Sequence, residues 1–170
     1  CEDKIKNDGP AAVKDIYKRI ITDLAGINSV LYDKIDYTKC YQGDIFGRAA
    51  MERDLIRFGD YFLEKYHGRF DRDKFAIYAD RILSAADAQH RTYFMYRDFQ
   101  TRNIMVKEDR LYFIDFQSGR KGSFYYDLAS FIYSSNTVGY KGMEDELTRV
   151  YFDICRVPGT DMESFRRNLK

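Results

Sequence analysis

Tyr93-Phe94-Met95-Tyr96-Arg97-Asp98-Phe99-Gln100-Thr101-Arg102-Asn103-Ile104-Met105-Val106-Lys107-Glu108-Asp109-Arg110-Leu111-Tyr112-Phe113-Ile114-Asp115-Phe116-Gln117 is the stretch that decides the fold. Its first four residues are an aromatic run with strand chemistry. Ile104-Met105-Val106 and Leu111-Tyr112-Phe113-Ile114 read as two more short strands, with Glu108-Asp109-Arg110 as the charged turn between them. That spacing predicts a tight antiparallel hairpin. Asn103 enters the hairpin and Asp115 leaves it, so two residues distant in sequence come to one end of it.

On either side the texture is helical. Val13, Ile16, Tyr17, Ile20, Ile21 and Leu24 recur at helical steps, with Pro10 expected at the first position of the helix and Gly26 as the stop. Residues 27–45 are irregular. A second helix is expected from about Arg48 to Tyr66, with Met51, Leu55, Phe58, Phe62 and Tyr66 on its apolar face and Gly68 ending it. Asp71 is the expected cap of a third, whose face is Phe75, Tyr78, Ile82, Leu83 and Ala86. Beyond Tyr126 come one helix with Leu128, Phe131 and Ile132, and another with Met143, Leu147, Val150, Tyr151 and Ile154. Pro158-Gly159 breaks the chain, and Asp161 caps a last helix. The class is α+β, mainly α. A helical part spans 1–91, the loops of interest 92–125, and C-terminal helices 126–170.

Composition removes several functions. Lys and Arg number 28 against 27 Asp and Glu, which leaves no basic excess to neutralise a nucleic-acid backbone. No apolar run reaches the roughly 20 residues of a membrane span. Cys1, Cys40 and Cys155 are too scattered for a zinc cluster and read as reduced thiols of a cytoplasmic protein. The two histidines, His67 and His90, sit at a helix end and in a polar linker. No nucleophile elbow or paired-histidine motif is present.

Phosphoryl transfer asks for a carboxylate to orient the attacking hydroxyl and for hard oxygen ligands to a divalent metal on the phosphates. Asp98 and Asn103, five residues apart on one loop, can supply the base and one metal oxygen, and Asp115 at the hairpin exit a second. Tyr-Arg-Asp-Phe-Gln-x-Arg-Asn-Ile-Met from Tyr96, Phe-Ile-Asp-Phe-Gln from Phe113, and Tyr-Asp-Leu-Ala-Ser from Tyr126 together resemble the aminoglycoside-phosphotransferase and choline-kinase superfamily. Bacterial amino-sugar kinases and Bacteroidetes kinase-like domains are closest in motif text. The resemblance implies a protein-kinase-like C-terminal lobe with a helical core and a small catalytic hairpin. It implies ATP and Mg²⁺, Asp98 as catalytic base, Asn103 and Asp115 as metal ligands, and Asp127 as a structural brace of the catalytic loop.

The text departs from that family at three positions. Tyr96 stands where His is common, Arg97 where drug-modifying members often have Gly, and Gln117 where protein kinases have Gly. Arg97, Gln100, Arg102, Gln117 and Arg120 are candidate contacts to substrate or phosphate, as is Lys121. Pairing with nearby carboxylates, packing or solvent is the alternative for each. No glycine-rich phosphate loop is found, so the nucleotide-holding N-lobe is expected to lie outside this chain, as a missing lobe or a fused domain. Two functions remain: an ATP-dependent kinase acting on a hydroxyl of a small molecule such as a sugar or amino sugar, inactive as this fragment alone, or a non-catalytic kinase-fold module that binds a metabolite or regulates a fused domain.

Overall fold

The computed structural model describes residues 2–87, 93–134, 142–156 and 159–170. The expectations for His90 and Pro158, and the boundary at residue 92, fall outside them. Among the described residues, seven α-helices and four strands follow in the order α1 (Glu2–Leu31), α2 (Arg48–Arg57), α3 (Glu64–His67), α4 (Arg72–Asp87), β1 (Tyr93–Met95), β2 (Ile104–Lys107), β3 (Arg110–Phe113), β4 (Arg120–Gly122), α5 (Phe124–Ile132), α6 (Glu144–Cys155) and α7 (Met162–Leu169). The described residues are mainly helical with two small antiparallel sheets, an α+β arrangement.

The core is built on α1. Its apolar stripe of Val13, Ile16, Tyr17, Ile20, Ile21 and Leu24 is buried against α5, α6 and β1. Each such aliphatic residue contributes about 1.5–3 kcal/mol by leaving water. The helix neither begins at Pro10 nor stops at Gly26. Tertiary packing carries it on past the glycine, because Ile27 and Leu31 rest on the core and the Asn28 side chain is fully buried in hydrogen bonds to other elements. Leu147, Tyr151 and Phe165 close the other side.

Helices α2 and α3 are joined by a π-helical segment, Phe58–Leu63, and pack with α4 as a satellite of the core. Asp71 caps α4 by accepting from the Lys74 N–H at 3.0 Å. The faces expected here are only partly covered. Leu83 is buried, but Phe58, Phe62, Tyr66, Tyr78 and Ile82 are all exposed. The satellite buries its rings mainly against one another, as in the stack of Phe58 on Phe62, so one side of each helix meets solvent.

The hairpin forms with Ile104 opposite Phe113 and Lys107 opposite Arg110. Its loop is the two residues Glu108 and Asp109, with Arg110 already in β3. Both loop residues have positive φ, 49° and 59°, as a turn matched to strand twist requires. Arg19 of α1 donates to the Asp109 carbonyl and pins the turn to the core.

The aromatic run also forms a strand, with a partner the sequence does not announce. β1 pairs with β4, Tyr93 opposite Gly122 and Met95 opposite Arg120. The irregular segment supplies a further edge: Ile45 bridges Lys121, and Phe46 donates its N–H to the Lys121 carbonyl at 2.7 Å. Gly122 is required by close approach, since a Cβ there would lie 2.7 Å from the Met95 sulfur. No described helix is long and apolar enough to cross a membrane.

Candidate active site

The loop that carries Asp98 is held from below by one buried carboxylate. β1 delivers the chain to Tyr96, and Asp127, in the first turn of α5, accepts the N–H groups of Tyr96 at 2.7 Å and Arg97 at 2.9 Å. Asn28 of α1 donates to Asp127 at 3.1 Å and to the Phe94 carbonyl at 2.6 Å, and it accepts from the Tyr151 hydroxyl at 2.8 Å. Three helices and a strand therefore meet on Asp127. Burial pushes its carboxyl up to about 6, and the three hydrogen bonds pull the other way. The start of α5 also favours its negative charge.

Beyond these anchors the backbone turns sharply. Arg97 and Asp98 both lie in the left-handed region, with φ of 63° and 53°. A side chain there costs roughly 1–2 kcal/mol. Phe99 is buried immediately afterwards, so Asp98 is lifted between two fixed points.

The metal-binding candidates converge on the same place. The Asn103 amide donates to the Asp98 carbonyl at 2.9 Å and to an Asp115 carboxylate oxygen at 3.4 Å. The Ile114 N–H donates to the Asn103 carbonyl at 3.0 Å, which closes the hairpin's open end. Asp115 has φ 72°, and Gln117 donates to its other oxygen at 2.8 Å. Tyr96, at the position where His is common, sends its hydroxyl to the Ile114 carbonyl at 2.8 Å. Burial, with the charges of Asp115 and Asp127, pushes that phenol up to about 12, so it remains a donor. It ties the Asp98 loop to the Asp115 loop.

The other candidates divide. Arg97 reaches away from the hairpin, to Asp54 of α2 at 2.8 Å and to Gln42 at 2.7 Å, with its guanidinium over the Phe46 ring. Arg120 is 1% exposed, and its guanidinium bonds the Gln42 carbonyl at 2.7 Å, the Gln42 side-chain oxygen and the Ser118 carbonyl. It frames the site from within the protein. Lys121 stands over the Tyr37 ring. Gln100 is half-buried, its carbonyl accepting the Asn103 N–H, and Arg102 is exposed without an ion pair among the described residues.

Sequence reasoning missed Asn28, Gln42 and Asp54. An Asn on the apolar stripe of α1 is a readable sign of a buried polar junction. Gln42 lies in an irregular polar segment with nothing to single it out.

A metal can be judged against this donor set. Among the described residues there is no group of three His, Cys, Asp or Glu to cage an ion. One carboxylate and one side-chain amide oxygen are a donor set that suits Mg²⁺, which keeps most of its shell for water and phosphate. Asn103 uses its NH₂ on Asp98 and Asp115, and its Oδ1 accepts no hydrogen bond from the described residues. Asp115 and Asn103 thus fit such an ion.

No curated protein matches the chain. The hairpin brings the Asp98 loop, Asn103 and Asp115 to one place, and residues 3–162 match the model of the phosphotransferase enzyme family, so the chain belongs to that family, which takes in the aminoglycoside phosphotransferases and choline kinases.

Proposed function

We propose that this chain is the catalytic lobe of an ATP-dependent phosphotransferase that transfers the γ-phosphate to a hydroxyl of a small molecule, with sugars and amino sugars the first acceptors to test. The observation that carries this is the Asn103 side chain, which joins the Asp98 loop to the Asp115 carboxylate at one point. In this reading Asp98 orients the acceptor hydroxyl and takes its proton as the new oxygen–phosphorus bond forms. The bond to the ADP oxygen breaks, and ADP leaves with that electron pair. Asp115 and Asn103 would hold Mg²⁺, which supplies neutralisation of the phosphate charge. Gln117 and Asn103 orient the Asp115 carboxylate, and Asp127 fixes the base loop. The nucleotide's second wall would come from the N-lobe or a fused domain.

The test is calorimetry of Mg²⁺–ATP with the full-length protein. Saturable, Mg²⁺-dependent binding that Asp115→Ala abolishes is the expected outcome. A folded full-length protein that binds no Mg²⁺–ATP would favour the non-catalytic, metabolite-binding alternative.

A further inference from the structure

A polar cavity of about 320 Å³ is lined by Gln42, Ala50, Arg53, Asp54, Arg57, Arg120 and Arg97, the residue that precedes Asp98 in the chain. Four guanidinium groups face one carboxylate. Asp54 is engaged by Arg97. Arg53 and Arg57 project from the same face of α2, one turn apart, and neither makes an ion pair among the described residues. Arg120 is buried, yet all its bonds go to neutral oxygens of Gln42 and Ser118. A buried charge is ordinarily offset by a counter-charge. With Asp54 as the one carboxylate among the lining residues, the four guanidinium groups leave the cavity with an excess of positive charge that suits an anion. Burial and the nearby charge of Arg97 also lower the proton affinity of Arg120, as expected of crowded like charges.

We infer that this cavity is the anion subsite of the phosphoryl acceptor: the compound phosphorylated here carries a carboxylate or phosphate group, held by Arg53, Arg57 and Arg97, while its hydroxyl lies at Asp98. This rests on the function proposed above and narrows its substrate to sugar acids or sugar phosphates. The placement of Asp98 supports the division of labour. Its carbonyl is tied to Asn103 on the metal side, and the preceding residue, Arg97, reaches into the cavity. Planar, bidentate guanidinium groups suit either anion. A cationic acceptor would be repelled.

The full-length protein and its R53Q/R57Q variant are titrated calorimetrically, without nucleotide, with glucuronate, glucose 6-phosphate, glucose and glucosamine. Both arginines are exposed on a helix and Gln is nearly as good a helix former, so the variant should fold, which circular dichroism checks. The wild type should bind at least one acid more tightly than glucose and glucosamine, and the variant should lose at least tenfold of that affinity. Whichever acid binds identifies the anion. Equal binding by the variant, tighter binding of glucose or glucosamine, or no binding of either acid overturns the inference. So does a variant that weakens Mg²⁺–ATP instead, which would assign the arginines to nucleotide phosphate. Acid binding that needs Arg53 and Arg57, in a protein that binds no Mg²⁺–ATP, supports the subsite and removes the phosphotransferase reading.

Discussion

Replacing Arg97 by Ala and, separately, by Gly separates two effects that meet in one residue. Its backbone is left-handed, with φ 63°, and its side chain holds Asp54, Gln42 and the face of Phe46. Both variants lose those contacts. A charge-assisted hydrogen bond at a part-buried site is worth about 1.5–3 kcal/mol, and the cation–π contact roughly 1 kcal/mol more. The Ala variant should therefore be less stable than wild type by about 2.5–4 kcal/mol. Gly removes the left-handed penalty of roughly 1–2 kcal/mol, but the freer unfolded chain takes back about 0.5–1 kcal/mol. The Gly variant should then exceed the Ala variant by about 1 kcal/mol. Urea unfolding followed by circular dichroism reads the difference directly, because the lost side-chain contacts cancel between the two variants. Equal midpoints, or Ala above Gly, would refute the claim that a strained backbone presents Asp98.

Two further outcomes follow from packing and charge. Gly122→Ala places a methyl group 2.7 Å from the Met95 sulfur, and such overpacking should lower the unfolding free energy by about 1–3 kcal/mol; an unchanged urea midpoint would contradict the β1–β4 approach. Asp127, whose carboxyl is raised from 3.8 to about 6, holds its proton more tightly folded than unfolded. Its contribution is therefore full below about pH 4 and declines as pH rises toward 7, by up to roughly 3 kcal/mol. The stability gap between wild type and Asp127→Asn, from urea unfolding at a series of pH values, should be larger at pH 4 than at pH 7; a gap that widens with pH would contradict the burial of this carboxylate.

What was legible in the sequence was local. The β2–β3 hairpin is written into two short apolar runs around the charged turn Glu108-Asp109-Arg110, and the α1 stripe into helical spacing. The caps Asp71 and Asp161 each accept the N–H three residues on. The remainder depends on partners distant in the chain. Arg120-Lys121-Gly122 has no strand chemistry and becomes β4 because Met95 lies against Gly122 and the Gln42 segment encloses Arg120. Gly26 looks like a stop, but Asn28 finds Asp127, 99 residues away. The faces of α2 and α4 are as apolar as the α1 stripe, yet the satellite they form has too little around it to bury them. Within the site, the motif pointed to Asp98, Asn103 and Asp115, whereas the arginine cavity needed α2 and the Asp98 loop to be seen together.

The central claim is that Asp98 serves proton transfer while Asn103 and Asp115 serve the metal. Its most direct test measures phosphoryl transfer and Mg²⁺–ATP affinity side by side in the full-length protein and in Asp98→Asn. The account predicts that transfer falls by about 10²–10⁴-fold, with nucleotide affinity and melting temperature essentially retained. A variant that keeps more than a tenth of the transfer rate, or that loses Mg²⁺–ATP binding along with it, would contradict the account.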